Sequence, residues 1–287
     1  MSILLRSRNP YNMKKKVEIV LITGGSSGIG AETAKVLAMA GMKVYAGSRR
    51  GTAPDDCDCS ENIIPLVMDV NDEQSVESAV NCIIEKEGHI DALISNAGNG
   101  IAGPIEQTTI EEGKYQFETC FWGMHRTIRA VLPYMRSNKF GRIITVSSVA
   151  AVVPIPYQAF YSSVKSAVLT YSKALSIELK PFGIQCCSVL PGDTKTGFTA
   201  SRKMIKSASD TTSPYYEISQ RSVARMEHDE QSGMPAARIG NAILRQLRSR
   251  RMTITSTPRI DYYAAVSLSG FLPDRFILWV VGKLYSK

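Results

Sequence analysis

No run in this 287-residue chain reaches the roughly 18 consecutive apolar residues that a membrane-spanning helix needs. The apolar patch near the start, Ile3-Leu4-Leu5, is interrupted at Arg6 and Arg8 and is too short for a signal-peptide core. Histidine is scarce: His89, His125 and His228 lie far apart. The cysteines (Cys57, Cys59, Cys82, Cys120, Cys186 and Cys187) follow no disulfide framework and no zinc-knuckle spacing. Cys57-Asp58-Cys59 is an isolated loop cluster, so no metal is expected. A reduced, cytoplasmic setting is the expectation that follows. Basic residues are not interleaved with aromatics as in single-strand nucleic acid binders, so no nucleic acid partner is expected.

What the chain does have is length enough for one large α/β domain, and a net charge of +8. The basic excess gathers at Lys14-Lys15-Lys16 and at Arg245, Arg248, Arg250 and Arg251. Two readings stand: solvated helix faces, or attraction to phosphate ligands or an anionic membrane surface.

Apolar strand patterns and helical periods alternate along the chain. Strands are expected at 17–23, 42–47, 63–68, 91–95, 142–146, 183–190 and 252–257. Helices are expected at 31–40, 72–86, 110–137, 157–179 and 238–250, with Pro133 kinking or ending the third. Such alternation requires right-handed crossovers and a sheet covered on both faces. The expected fold is α/β: a single doubly wound Rossmann-type domain, its mostly parallel seven-stranded sheet flanked by helices. The expected divisions are an N-terminal extension (1–16), the domain (17–258) and an apolar helical extension (259–287). Residues 198–235 break the rhythm and carry no clear strand.

Between the first strand and first helix runs Thr23-Gly24-Gly25-Ser26-Ser27-Gly28-Ile29-Gly30. Glycines at 24, 28 and 30 let the backbone turn tightly and let a pyrophosphate approach the free N–H groups of the helix start. The strand before and the helix after supply the context that a dinucleotide loop requires. A carboxylate about 20 residues on would bind a ribose 2′-hydroxyl. The second strand ends instead at Ser48-Arg49-Arg50. A guanidinium there suits a 2′-phosphate, which favours NADP(H) over NAD(H). The alternative is a solvent-facing basic turn.

The stretch Phe160-Tyr161-Ser162-Ser163-Val164-Lys165 follows the serine pair Ser147 and Ser148. Tyr161 and Lys165, four residues apart, share one helix face. An ammonium beside a phenol stabilises its phenolate form. A nearby serine hydroxyl can hold an alcohol or ketone oxygen. Together they form acid–base equipment for moving a hydride on or off carbon.

Taken in order, these motifs resemble the short-chain dehydrogenase/reductase family over roughly residues 17–258. The resemblance rests on Thr23-Gly24 with Gly28 and Gly30, on Asn96-Ala97-Gly98, on Ser148, on Tyr161 with Lys165, and on Pro191-Gly192 with Thr194 and Thr196. It implies that Tyr161 is the general acid in reduction and base in oxidation. Lys165 would bind the nicotinamide ribose, and Ser148 the substrate oxygen. Asp69, with Val70 beside it, would meet the adenine, while Asn96, Ala97 and Gly98 would line the cofactor cleft. Thr194 and Thr196 would hold the carboxamide and pyrophosphate end. Family members often form homodimers or homotetramers through the two long helices. One departure stands out: Cys120 occupies the place of a usual asparagine that supports a proton-relay water. A thiol is a weak substitute for a carboxamide. Water rebuilds the relay, or turnover is slow, or the member is divergent. On this reading Cys120→Asn should speed hydride transfer.

The 198–235 segment sits where the family places a mobile substrate lid. Either Met204, Ile205, Tyr215, Tyr216, Met226 and Met234 line a greasy pocket, or the segment is a surface loop with a few packed apolars. The tail from Phe271 to Tyr285 is an apolar helix candidate with three readings: a cover over the substrate site or a partner subunit, a membrane-surface helix, or ordinary core. The expected activity is interconversion of a secondary alcohol and a ketone on a small lipophilic substrate, a hydroxysteroid being the best single choice. The alternatives are a 3-oxoacyl-thioester reductase and a catalytically weak NADP(H)-sensing regulator.

Overall fold

The computed structural model describes residues 16–54 and 60–285. The N-terminal extension to residue 15 and the Cys57-Asp58-Cys59 cluster lie outside the described residues. Seven strands form one sheet: β1 (Ile19–Thr23), β2 (Lys43–Ser48), β3 (Ile63–Val67), β4 (Ala92–Ser95), β5 (Gly141–Val146), β6 (Ile184–Val189) and β7 (Thr255–Ser256). Their order is β3-β2-β1-β4-β5-β6-β7 and every pairing is parallel. This is the doubly wound order, with its reversal between β1 and β4.

Both faces of the sheet are covered, so the central strands are buried throughout. Alternate residues of β1 serve different cores. Val20 and Ile22 pack with Leu37, Val44, Ile94 and Ile144 on one side. Ile19 and Leu21 pack with Tyr45, Leu93, Ile128 and Ile143 on the other. Each such side chain contributes about 1.5–3 kcal/mol by leaving water.

The helices are α1 (Gly28–Met39), α2 (Glu73–Glu87), α3 (Ile110–Phe117), α4 (Gly123–Ser137), α5 (Ala159–Glu178), α6 (Tyr216–Gln231), α7 (Ala237–Arg248), α8 (Ile260–Ser269) and α9 (Asp274–Tyr285). A one-turn helix also covers Phe198–Ser201. Three elements differ from expectation. The single helix expected at 110–137 is divided by a widened π-helical turn, Glu118–Trp122, while Pro133 sits inside α4 without ending it. The last strand is only two residues long, because only Thr255 and Ser256 pair with β6. The 198–235 segment is largely ordered by α6, and two short strand pairings tie it down: Lys203–Met204 with Ile101–Ala102, and Met234–Pro235 with Thr194–Lys195. The buried stripe of α6 is Ser219, Ser222, Val223 and Met226, which has helical spacing but too little apolar bulk to show in the sequence.

Among the described residues no helix is long and apolar enough to cross a membrane. The tail forms two helices, α8 and α9, separated at Gly270–Pro273, and α9 lies against the cleft described next.

Candidate active site

β5 and α5 deliver the acid–base group. The end of β5 leads into Ser147 and Ser148, whose side chains do different work. Ser147 Oγ donates to the Lys165 carbonyl (2.7 Å) and so fixes the first turns of α5. Ser148 Oγ accepts from the Ala150 N–H (3.1 Å) and faces the Pro191 carbonyl at 3.5 Å. Tyr161 and Lys165 share a face of α5, with Lys165 Nζ 5.7 Å from the tyrosine ring centroid. Lys165 is 7% exposed, and its ammonium donates to the Val146 carbonyl at 2.9 Å. A buried ammonium with spare donors, beside a phenol and a serine hydroxyl, can carry proton transfer at one substrate oxygen.

The glycine loop has the conformation that its sequence requires. Gly24 and Gly28 have φ of +66° and +54°, the left-handed region. A Cβ on Gly30 would stand 2.1 Å from the Gly24 carbonyl oxygen. Above Gly28 the space is open apart from Thr196, whose Cβ would be 3.6 Å from such an atom. Thr23, almost wholly buried, accepts the N–H groups of Asn96 and Ala97 on its hydroxyl, both at 3.0 Å. Asn96 Nδ2 donates to the carbonyls of Thr23 (3.0 Å) and Gly24 (3.2 Å), so its side chain braces the loop. An open backbone cradle at the N-terminus of α1 fits the diphosphate of a dinucleotide.

The expected site residues divide into two groups. Gly24, Ser27, Gly28, Ile29, Asn96, Ala97 and Gly98 line one continuous cleft with Ser148, Tyr161 and Lys165, and with Pro191, Gly192, Thr194 and Thr196. Thr23 and Gly30 lie beneath that wall as supports. Ser26, Ser48, Arg49, Arg50, Asp69 and Val70 lie outside it. Arg50 Nη2 reaches Ser26 Oγ at 3.5 Å, spanning the end of β2 and the glycine loop. Ser48 Oγ and Asp69 Oδ1 each accept a nearby backbone N–H, from Gly51 (3.1 Å) and Asn71 (3.0 Å). Val70 is buried against Gly123, where a Cβ would lie 2.7 Å from it.

The cleft has a volume of about 660 Å³ and runs from the glycine loop past Tyr161 to the tail. Its lining includes apolar side chains from the segment after β5 (Val149, Val153 and Ile155) and from the tail (Leu272, Phe276 and Val280). Of the three readings of the tail, α9 covers the cleft. Tyr262 of α8 fastens that cover. Its ring lies 2.3 Å from where a Cβ on Gly192 would stand, so only glycine fits beneath it. Its hydroxyl donates to Asp193 Oδ2 (2.5 Å) and accepts from the Asp193 N–H (3.2 Å). Burial and then the Asp193 carboxylate push this phenol well above the ordinary tyrosine range. Burial likewise raises Tyr285, at the tail end of the cleft, to about 12.

The 198–235 segment supplies different lining residues from those expected. Ile205 is buried against Gly103, Met226 is buried on α6, Met234 belongs to the core beneath the sheet, and Tyr215 donates to Glu106 (2.5 Å). The cleft wall takes Phe198, Ser201 and Glu230 from this segment instead. The Phe198 ring centroid is 5.8 Å from that of Tyr161. Sequence reasoning also missed Asn99 and Gln116. Their only sequence signal is that Asn99 directly follows Gly98 and Gln116 precedes Cys120 by one helical turn.

Comparison with known proteins fits this geometry. A family model described as short chain dehydrogenase matches residues 18–206. The 3-ketodihydrosphingosine reductase of Bacteroides thetaiotaomicron is 39% identical over 274 residues, covering 94% of this chain and 98% of that protein. The short-chain dehydrogenase ptmH of Penicillium ochrochloron is 32% identical over 273 residues, covering 92% and 97%. The crystal structure of a short-chain dehydrogenase from Streptomyces avermitilis superposes with a TM-score of 0.80 at 24% identity, covering 94% of this chain and 97% of that one. The family match takes in both the glycine loop and the tyrosine helix, and the chain therefore belongs to the short-chain dehydrogenase/reductase family of oxidoreductases.

Proposed function

We propose that the protein interconverts a ketone and a secondary alcohol on a long-chain lipophilic substrate, using NADP(H). The carrying observation is that Ser148, Tyr161 and Lys165 line one cleft together with apolar side chains of the tail, Leu272, Phe276 and Val280. A bound nicotinamide supplies or takes the hydride. The residues of the chain manage the oxygen. Ser148 donates a hydrogen bond to the ketone oxygen, and Tyr161 gives that oxygen its proton. The Lys165 ammonium lies 5.7 Å from the ring centroid of Tyr161. The oxidation direction reverses each step. Thr194 and Thr196 serve the carboxamide and pyrophosphate end.

Arg50 supports the NADP(H) preference. Its guanidinium already spans the gap to Ser26, where an adenosine ribose would carry its 2′-phosphate. A hydroxysteroid is the substrate expected from the sequence. The apolar lining suits an extended chain, and one of the relatives that match nearly the whole length is named for a long-chain ketone, so the proposed substrate is a long-chain ketone.

The test combines cofactor titration with turnover. NADPH should bind more tightly than NADH, and Arg50→Ala should weaken NADPH alone. A lost charge-assisted bond of about 1.5–3 kcal/mol corresponds to roughly ten- to hundredfold. Tyr161→Phe should lower kcat by about 10²–10⁴ with NADPH binding intact. Full activity in Tyr161→Phe would overturn the assignment. Turnover restricted to acyl-carrier thioesters would favour the 3-oxoacyl-thioester reductase instead.

A second reading concerns location. The tail that walls the cleft also exposes Phe271 (88%) and Trp279 (60%) on its outside. From Arg275 to Lys287 it carries three cations and no carboxylate. The combination suits peripheral contact with an anionic lipid surface, from which a long-chain ketone enters the cleft directly.

A further inference from the structure

We propose that Gln116 and Asn99 are positioning residues for proton transfer: a buried pair of carboxamides locks the turn at Gly98 beside the Lys165 ammonium, the task that Cys120 is too weak a partner to perform. The inference rests on the proposed role of Tyr161 and Lys165.

Gln116 has no exposed surface, yet every polar atom of its side chain is used. Its Oε1 accepts from the Ile101 N–H at 2.8 Å. Its Nε2 donates to the Asn99 carbonyl (2.9 Å) and to Asn99 Oδ1 (3.0 Å), and lies 3.2 Å from Cys120 Sγ. Asn99 completes the unit. Its Nδ2 donates to the Tyr115 carbonyl (3.3 Å) and to Thr119 Oγ1 (3.4 Å), at the entrance to the widened Glu118–Trp122 turn. A π-helical turn leaves backbone groups out of their regular ladder, and side chains must take them up. Here Asn99, in the loop following β4, takes up the Tyr115 carbonyl, and Gln116, in the last turn of α3, ties that loop back to the helix through the Ile101 N–H and the Asn99 carbonyl.

The unit borders the acid–base group directly. Asn99 follows Gly98, and Gly98 has no side chain. A Cβ placed there would stand 3.4 Å from Cys120 Sγ and 3.8 Å from Lys165 Nζ. The widened turn, the Gly98 backbone and the ammonium therefore meet at one point. Whatever fixes the turn fixes the backbone surface against which Lys165 is held. Cys120 contributes little, because a thiol donates and accepts poorly: its closest oxygen is Asn99 Oδ1, at 3.4 Å. Gln116 brings a full carboxamide to the same spot from one turn earlier. Position 120 then needs no carboxamide of its own, which changes the outcome expected for Cys120→Asn. In the otherwise unaltered protein this substitution should give no gain in rate, because the space and the partners are already taken.

The decisive measurement uses the full chain, NADPH and a long-chain ketone. Gln116→Leu keeps the bulk and removes the amide. It should lower kcat at least tenfold, change KM for the ketone less than threefold and leave NADPH affinity within twofold. Adding Cys120→Asn to Gln116→Leu should restore kcat to within threefold, since the carboxamide then arrives from position 120. A general loss of packing would not be repaired by that second change. Asn99→Ser replaces Gln116→Leu as the probe if the latter does not fold, with the same split between kcat and KM expected. Wild-type kcat in a folded Gln116→Leu protein, or a loss that Cys120→Asn does not repair, overturns the inference. Tyr161→Phe measured alongside separates the two readings: full activity there removes the proposed function itself, whereas a dead Tyr161→Phe with an unaffected Gln116→Leu removes only the role given to the carboxamides.

Discussion

Glu87 shows how a single charge ties β2 to α2. Its carboxylate pairs with Lys43 (2.5 Å) and accepts from the Tyr45 hydroxyl (2.5 Å). The Lys43 bond first, then the Tyr45 bond, hold its pKa below the usual 4.5. A carboxyl depressed in the folded state adds stability above its unfolded pKa and loses it as pH falls through the lower folded value. Glu87→Gln should therefore lower Tm at pH 7, and its Tm should fall less steeply than that of the wild type below about pH 4.5, as followed by circular dichroism. An unchanged acid limb would exclude the linkage. At this scale Tyr161 and Lys165 were legible because helical spacing alone puts them on one face. Gln116 and Asn99 were not, since their bonds cross between a loop and a widened turn that no periodicity announces.

The tail helix α9 is the element that most changes the meaning of the site. It brings Phe276, Ile277, Val280 and Val281 to the lining of the cleft that holds Tyr161. Phe276 lines the cleft while remaining half exposed, so truncating it removes wall and leaves the core intact. Phe276→Ala should raise KM for a long-chain ketone several-fold, while a short ketone and NADPH are handled as before. Equal losses on both ketones would show that the wall does not select for chain. The strands and the helices α1, α2, α5 and α7 were readable because apolar runs and helical periods mark them. The lid helix α6 was not, because it buries serines where a reader looks for leucines. The π-helical turn escaped for a related reason: its residues continue a helical pattern, and Pro133 drew the expected break to the wrong place.

For the molecule as a whole, the doubly wound sheet order followed from simple alternation of elements, and the crevice at the strand ends followed from the sheet order. The lipid-surface reading predicts that the full chain sediments with vesicles containing phosphatidylglycerol and less with pure phosphatidylcholine. Binding should weaken as salt rises and drop at least tenfold in Trp279→Glu. No sedimentation, or a tail-dependent dimer by light scattering in place of it, would assign the exposed face to a second copy instead. The nucleotide cradle and the proton-moving residues all precede residue 200, whereas α8 and α9 begin after residue 259 and attach through Tyr262 and Asp193. On the proposed function, selectivity and reactivity are written in separate stretches of the same polypeptide. Exchanging the stretch after residue 259 with that of a relative should transplant the choice of ketone and leave the hydride chemistry as it was.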